Sequence, residues 1–335
     1  MSIYDALDPS RAVLLCDLRD QADVVVGANL VTGDPYDPLT WTAENAATLS
    51  RQAGVYLGTD ALRTAYNGTP APGALRNILT LNHRYRISTA LRNNGATSAE
   101  VLAGTASVGL RTDGTFQVLS GDATCTGNTN LRLRANGAAG SADFAAISVY
   151  ELKRATKNWG TAAGAPAYVI VGDGFTAASM PTQLAGKRGL NFNGSQYITA
   201  AVNLPNGAYT YISLVRHTLN ATGTTEYLSD FRAGGGTGYV YDNDATRVVT
   251  VSSGTVSVNG VSTTTLQNGM PSLVSVAGIT ATAPSSIIIG AINTLVGANT
   301  FFRGDMLAVA LYPGTLAPLQ IAEVGRRMRQ EALMP

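Results

Sequence analysis

The residues of this 335-residue chain that could do chemistry are few. There are six Glu (Glu44, Glu100, Glu151, Glu226, Glu323 and Glu331), two His and two Cys. Hydrolysis of a glycosidic bond needs two carboxyls about 5–10 Å apart. No Glu-x-Asp-x-x-Glu spacing occurs, and the Glu of the second half that lies nearest another acid is Glu226, before Asp230. A nucleophilic triad would have to use His83 or His217, both in or beside apparent strands, and no G-x-S-x-G elbow accompanies them. Each reads as an ordinary surface or hydrogen-bonded histidine. Gly234–Gly238 neither follows a clear strand nor opens a helix, so it reads as a turn and not a phosphate cradle. Cys16 and Cys125 make neither a metal-ligand spacing nor a disulfide framework, and they read as small buried hydrophobes. No cofactor and no catalysis are expected.

Two patterns point to binding instead. Asp242-Asn243-Asp244 offers oxygen ligands, with Asp242 and Asp244 as candidates for a structural Ca²⁺. A polar hairpin tip is the other reading. Tyr239 and Tyr241 alternate, so they share one face of a strand. Aromatic faces stack on sugar rings and also simply pack. Tyr36 and Tyr56 in the first half are weighed in the same way, while Trp41 reads as core.

The elements that must carry these residues are β-strands. Gly and Pro are plentiful (36 and 13), hydrophobic residues make up 45% and charged residues only 13%. Disorder needs the opposite balance. The net charge of +1 carries no footprint for nucleic acid or an anionic membrane. Apolar runs stay short of a membrane span, so no membrane insertion is expected, and the first residues lack a secretory signal. Leu131–Arg134 alternates strictly, and Asn93-Asn94-Gly95 and Thr112-Asp113-Gly114 are hairpin-type turns. Many short strands without a long helical period between them imply antiparallel sandwiches. One helix closes the chain. Pro318 suits its first position, Gln320 the capping box, and Leu316 with Ile321 a hydrophobic staple, while Ile321, Val324 and Met328 form its apolar stripe.

The expected fold is all-β, with two tandem antiparallel β-sandwich (jelly-roll) domains. An arm spans 1–25, a first sandwich 26–153, a linker 154–167, and a second sandwich with the C-terminal helix 168–335. Trp159 in the linker is expected to pack between the two sandwiches. Val13, Leu14 and Leu15 form an apolar run in the arm that must be covered. It could serve as a strand of the chain's own sheets; the favoured reading is an assembly contact on a neighbour.

Phe192-Asn193-Gly194-Ser195-Gln196-Tyr197, the Thr210–Val215 strand, Ile287–Ala291, Phe302-Arg303-Gly304-Asp305-Met306 and the Leu316–Ile321 helix start follow one another in the order of laminin-G/concanavalin-A-like jelly rolls. The second half resembles that family. The first half is similar to carbohydrate-binding-module jelly rolls, through Asn29-Leu30-Val31 with Trp41, Arg84–Ile87 and Phe144–Leu152. It departs from them at Ala145 and Ala146, where that family has an acidic and amide pair. The tandem of such modules looks most like a virion protein of tailed bacteriophages. That resemblance implies a structural, non-catalytic component of the virion, partnered by copies of itself or other virion proteins and touching a host-surface glycan. A carbohydrate-binding adhesin outside a phage and a polysaccharide depolymerase are the alternatives.

Overall fold

The computed structural model describes residues 11–172, 174, 180–184, 189–218, 223–232, 237–243, 245–284, 286–292 and 301–333. Asp244 and residues 233–236 of the glycine-rich turn lie outside them. The chain is nearly all β, with one long C-terminal helix. It divides into two compact units. One is Val24–Lys153. The other combines residues up to Asp23 with those from Arg154 onward. The divisions fall inside strand β1 (Leu14–Val26) and strand β11 (Ser141–Asn158).

The inner unit is built from β2 (Thr42–Glu44), β3 (Thr48–Tyr56), β4 (Thr59–Ala65), β5 (Gly73–Asn77), β6 (Arg84–Asn94), β7 (Ser98–Ala103), β8 (Ala106–Arg111), β9 (Gln117–Thr124), β10 (Asn130–Asn136) and the first part of β11. Antiparallel pairings order them as β3-β4-β11-β6-β9 in one layer and β2-β5-β10-β7-β8 in the other. Between the layers lie Trp41, Leu62, Tyr85, Ile87, Val101 and Phe144. Sequence alternation sets the faces. On β10, Leu131, Leu133 and Ala135 are buried, whereas Arg132 and Arg134 turn the other way and reach the Glu44 carboxylate at 3.1 and 3.7 Å.

The other unit continues with β12 (Tyr168–Val171), β13 (Thr182–Gln183), β14 (Leu190–Asn193), β15 (Ile198–Ala201), β16 (Gly207–His217), β17 (Thr225–Asp230), β18 (Tyr239–Asn243), β19 (Thr250–Val251), β20 (Thr255–Val258), β21 (Ser272–Ala281), β22 (Ser286–Ile289), β23 (Arg303–Pro313) and helix α1 (Pro318–Leu333). One layer runs β20-β21-β16-β23, and both β14 and β1 pair with β23. The other runs β12-β15-β22-β17-β18-β19. Side chains from both layers fill the core between them, among them Tyr211, Val215, Val309, Ile198, Leu228 and Ile289. The far face of the first layer is covered too. Ile212, Leu214, Ala310 and Tyr312 meet Leu316, Val324 and Met328 of the helix segment. Burial on both faces is why β16 and β23 read as nearly unbroken apolar runs. The helix begins as its caps predict, with the Ala317 amide donating to Gln320 Oε1 at 3.0 Å and Ile321 joining Leu316 in one cluster.

The arm and the linker are the two corrections. Residues 1–10 of the expected arm lie outside the described residues, and its apolar run is a strand of the chain's own sheet and not an assembly contact. Leu14–Asp17 pairs antiparallel with Ala308–Leu311 of β23, and Val13, Leu14 and Leu15 are 0–1% exposed in the chain's own core. Nor is 154–167 a simple linker. β11 extends to Asn158, and the following residues are stitched to the N-terminal segment by Trp159 N–H to Leu15 O (2.9 Å) and Ala162 N–H to Ala12 O (3.0 Å). Gly160 permits this approach, because a Cβ there would stand 2.6 Å from Ala12 O. Trp159 is half-buried within this unit's helix-side cluster beside Ala12 and Leu15, under the Lys157 ammonium.

Buried Asn158 holds the junction. Its Oδ1 accepts from Leu15 N (2.8 Å) and Gly160 N (3.0 Å), and its Nδ2 donates to Val13 O (2.7 Å) and Pro166 O (2.8 Å). Truncating it strands buried backbone groups, at about 1–3 kcal/mol each. We expect Asn158→Ala to destabilise this unit by at least about 2 kcal/mol, and Leu15→Ala to cost about 2–5 kcal/mol. Denaturant unfolding of the full chain measures both. A loss below about 0.5 kcal/mol for both, the range of ordinary surface changes, would contradict the internal placement of the N-terminal strand.

Candidate functional site

Three tyrosines converge on the outer side of β17 and β18. Tyr239 and Tyr241 point the same way, as their alternation requires, and Tyr227 lies opposite Tyr241 in the ladder. Ring centroids are 5.7 Å apart for Tyr239–Tyr241, 5.5 Å for Tyr227–Tyr241 and 6.2 Å for Tyr227–Tyr239. All three are half-buried. The Arg232 guanidinium lies 4.9 Å from the Tyr239 centroid and 5.6 Å from that of Tyr227. It is held there by buried Asp230, whose Oδ1 accepts from Arg232 Nε at 2.9 Å. Burial pushes the Tyr227 phenol up, against the pull of the Arg232 charge. The result is an aromatic floor whose members are fixed before any ligand arrives.

The same alternation sends Glu226 and Asp242 to the inner side. They are direct cross-strand partners and are 1% and 0% exposed. His217 ends β16 in the facing layer and is 0% exposed. Its Nε2 stands 3.0 Å from Asp242 Oδ2 and 3.6 Å from Glu226 Oε2. Gly304, paired with His217, is held at φ +145°, and a Cβ there would come within 2.5 Å of Arg216 O. That close approach seats β23 against the end of β16. Arg303 donates its backbone N–H to Glu226 Oε2 at 3.0 Å and brings Nη1 to 3.7 Å from Oε1. Of the two residues expected to offer oxygen ligands to Ca²⁺, the structure places only Asp242. Asp242 is enclosed and meets a histidine and a glutamate, and its expected partner Asp244 is outside the described residues. His217 is likewise no ordinary surface group, and Glu226 works with Asp242 across the ladder instead of with Asp230 along it.

The aromatics of the inner unit do not join into one site. Tyr36 packs against that unit's core, and its phenol oxygen accepts from Ala146 N at 3.0 Å. Tyr56 packs on a different patch with Phe116, at 5.0 Å, above Ala61, Ala90 and Ala145. Trp41 is buried core, as expected, with its indole N–H donating to Pro35 O. Arg92 covers Phe116 at 4.6 Å and also donates to Asp143. Asp143 is wholly buried and accepts from Arg63 (2.7 and 2.9 Å), Arg92 (2.8 Å) and Asn94 (2.7 Å). Burial alone would push its carboxyl up, but these hydrogen bonds and the Arg63 charge hold it below its ordinary 3.8.

The sign of the linkage follows. Stability from a depressed carboxyl is full above the unfolded value and is lost as pH falls through the lower folded value. We expect the unfolding temperature of the inner unit to hold from neutral pH to about 5 and to drop below about 4. Asp143→Asn should lower stability at neutral pH by about 1–3 kcal/mol, because the hydrogen bonds of two part-exposed arginines to a buried carboxylate are lost, and should flatten the acid decline. Calorimetry of both chains across pH checks this.

No protein-family model matches the chain, and no curated protein matches it. Among solved structures, it is similar to the tandem CBM22-1–CBM22-2 domain of Paenibacillus barcinonensis Xyn10C, at 12% identity over 89% of this chain and 99% of that one, with a TM-score of 0.29. The single CBM22-1 xylan-binding domain of the same protein aligns at 16% identity over 39% of this chain and 96% of its own length, TM-score 0.29. The tandem CBM51 modules of Sp3GH98 from Streptococcus pneumoniae SP3-BS71 align at 11% identity over 88% and 100%, TM-score 0.24. At these values the likeness is a broad one, and the ligands of those proteins are theirs alone.

Proposed function

We propose that this chain is a non-catalytic binding protein that holds a glycan on the Tyr227–Tyr239–Tyr241 face. The observation that carries the reading is the packing of three half-exposed rings and one guanidinium on a single rigid face. The C–H face of a pyranose is apolar and positively polarised, which suits the negative face of a tyrosine ring. Arg232, fixed by Asp230, supplies a hydrogen-bond donor at the rim. The β17–β18 ladder and the Asp230–Arg232 contact hold the platform in place, so little ordering entropy is lost on binding. The acids of these strands, Glu226, Asp230 and Asp242, are 0–1% exposed, and a polymer laid on the tyrosines would meet none of them as a free carboxyl pair. This supports binding over depolymerisation.

The finer reading makes the chain a component of a tailed-bacteriophage virion, in a homo-oligomer or among other virion proteins, with this face turned to a host-surface glycan. Its support is the sequence resemblance of the two tandem modules.

The test is a glycan-array screen followed by calorimetric titration of a positive glycan. We expect Tyr239→Ala and Tyr241→Ala each to weaken binding about tenfold or more, since a central interface aromatic contributes over 1 kcal/mol. Circular dichroism should show the fold unchanged. Undiminished binding by both variants, or no glycan bound across the array, would overturn the reading.

A further inference from the structure

We infer that His217, Glu226 and Asp242 form a metal site that takes one first-row divalent cation, with Zn²⁺ the best fit. The three residues come from three strands and both layers of the sandwich, and one ligand atom of each lies within 4.8 Å of the others. Tetrahedral ligands on a zinc ion, at about 2.0–2.2 Å from the metal, stand about 3.3–3.6 Å from one another. The separations of His217 Nε2 from the two carboxylate oxygens, 3.0 and 3.6 Å, bracket that range.

Charge makes the same demand. Two carboxylates, both buried from solvent, sit directly opposite each other in a ladder, an arrangement that is unfavourable by itself. The backbone amide of Arg303 satisfies Glu226 Oε2, whereas buried Oε1 accepts no hydrogen bond among the described residues and lies 3.7 Å from the Arg303 guanidinium. A divalent ion bound by a neutral imidazole and both carboxylates supplies inside the cluster the compensation that Arg303, at its edge and 28% exposed, supplies only in part. The Phe302 ring, wholly buried and 6.3 Å from the imidazole, keeps the surroundings apolar and the attraction strong. The donor set decides the metal. An imidazole with two carboxylates suits Zn²⁺, Mn²⁺ or Fe²⁺, whereas Ca²⁺ takes six to eight oxygens. A site this enclosed is filled as the unit folds, so the ion serves as a clamp between the two layers.

The inference is independent of glycan binding, and so is its test. The full chain is unfolded with a chelator present, desalted, and refolded with or without one equivalent of ZnCl₂. Metal content is read by mass spectrometry and unfolding by calorimetry. CoCl₂ serves as the spectroscopic probe, because a tetrahedral His/carboxylate site gives a visible d–d absorption. We expect about one equivalent of bound ion. The unfolding temperature of the unit carrying the site should be higher with zinc. Binding should fall to below about one-tenth of an equivalent in Glu226→Gln and in His217→Ala. Glu226→Gln preserves shape, so circular dichroism can certify its fold, and the refolded wild-type pair needs no variant at all. If the refolded wild type takes up no ion and its unfolding is unmoved by zinc or cobalt, the cluster is a histidine–carboxylate ion pair only and the inference fails. It fails equally if zinc is bound but the folded Glu226→Gln chain binds it as well.

Discussion

The pairing of Leu14–Asp17 with Ala308–Leu311 is the constraint on which the C-terminal sandwich depends. β23 sits between β16 on one side and β14 with β1 on the other, so the Ala308–Leu311 stretch of its second edge is covered by the N-terminal segment. Without β1 that stretch would be an open edge next to a large apolar face. Asn158 fixes the arrangement by replacing, with one side chain, the partners of four backbone groups at the place where β11 ends and the chain turns back. The apolar pattern of Val13–Cys16 is therefore half of an interior whose other half lies some three hundred residues away.

The hairpin of β17 and β18 shows how one ladder serves two purposes. Odd-numbered tyrosines face outward and form a surface suited to a flat, partly apolar ligand. The neighbouring acids Glu226 and Asp242 face inward against His217. Whatever holds the inner acids in register also holds the outer rings in register, because both are fixed to the same two backbones. The inner cluster thus bears on how rigid the outer platform is, even though no ligand on the outside would touch it.

Much of this was legible in the sequence where the signal was local. The alternation of Leu131–Arg134, the continuous apolar run of β16, and the Ala317–Gln320 cap each depend on residues a few positions apart. The tyrosine pair was legible for the same reason. The period of two that places Tyr239 and Tyr241 on one face also sends Asp242 to the other, a signal present in the sequence and masked by the surface-loop appearance of Asp242-Asn243-Asp244. What could not be read is what depends on register between distant strands. Glu226 opposes Asp242 through a hairpin whose length gives no unique pairing, and His217 reaches them from the facing layer. Likewise the apolar N-terminal run announced that it must be covered, but its partner β23 carries no mark that singles it out.

One consequence concerns the order of synthesis. Because the C-terminal unit takes its first strand from before residue 24 and the remainder from after residue 153, the inner sandwich is topologically an insertion into it. On the ribosome, Val24–Lys153 is complete while β1 still lacks β23, which follows it in the chain. The outer unit therefore closes only after β23 has been made, as a ring-closing step across the inserted module. Its loop-closure cost is moderated because a compact insert holds the two ends of the gap at a fixed separation, where a free coil of the same length would have to find it by diffusion.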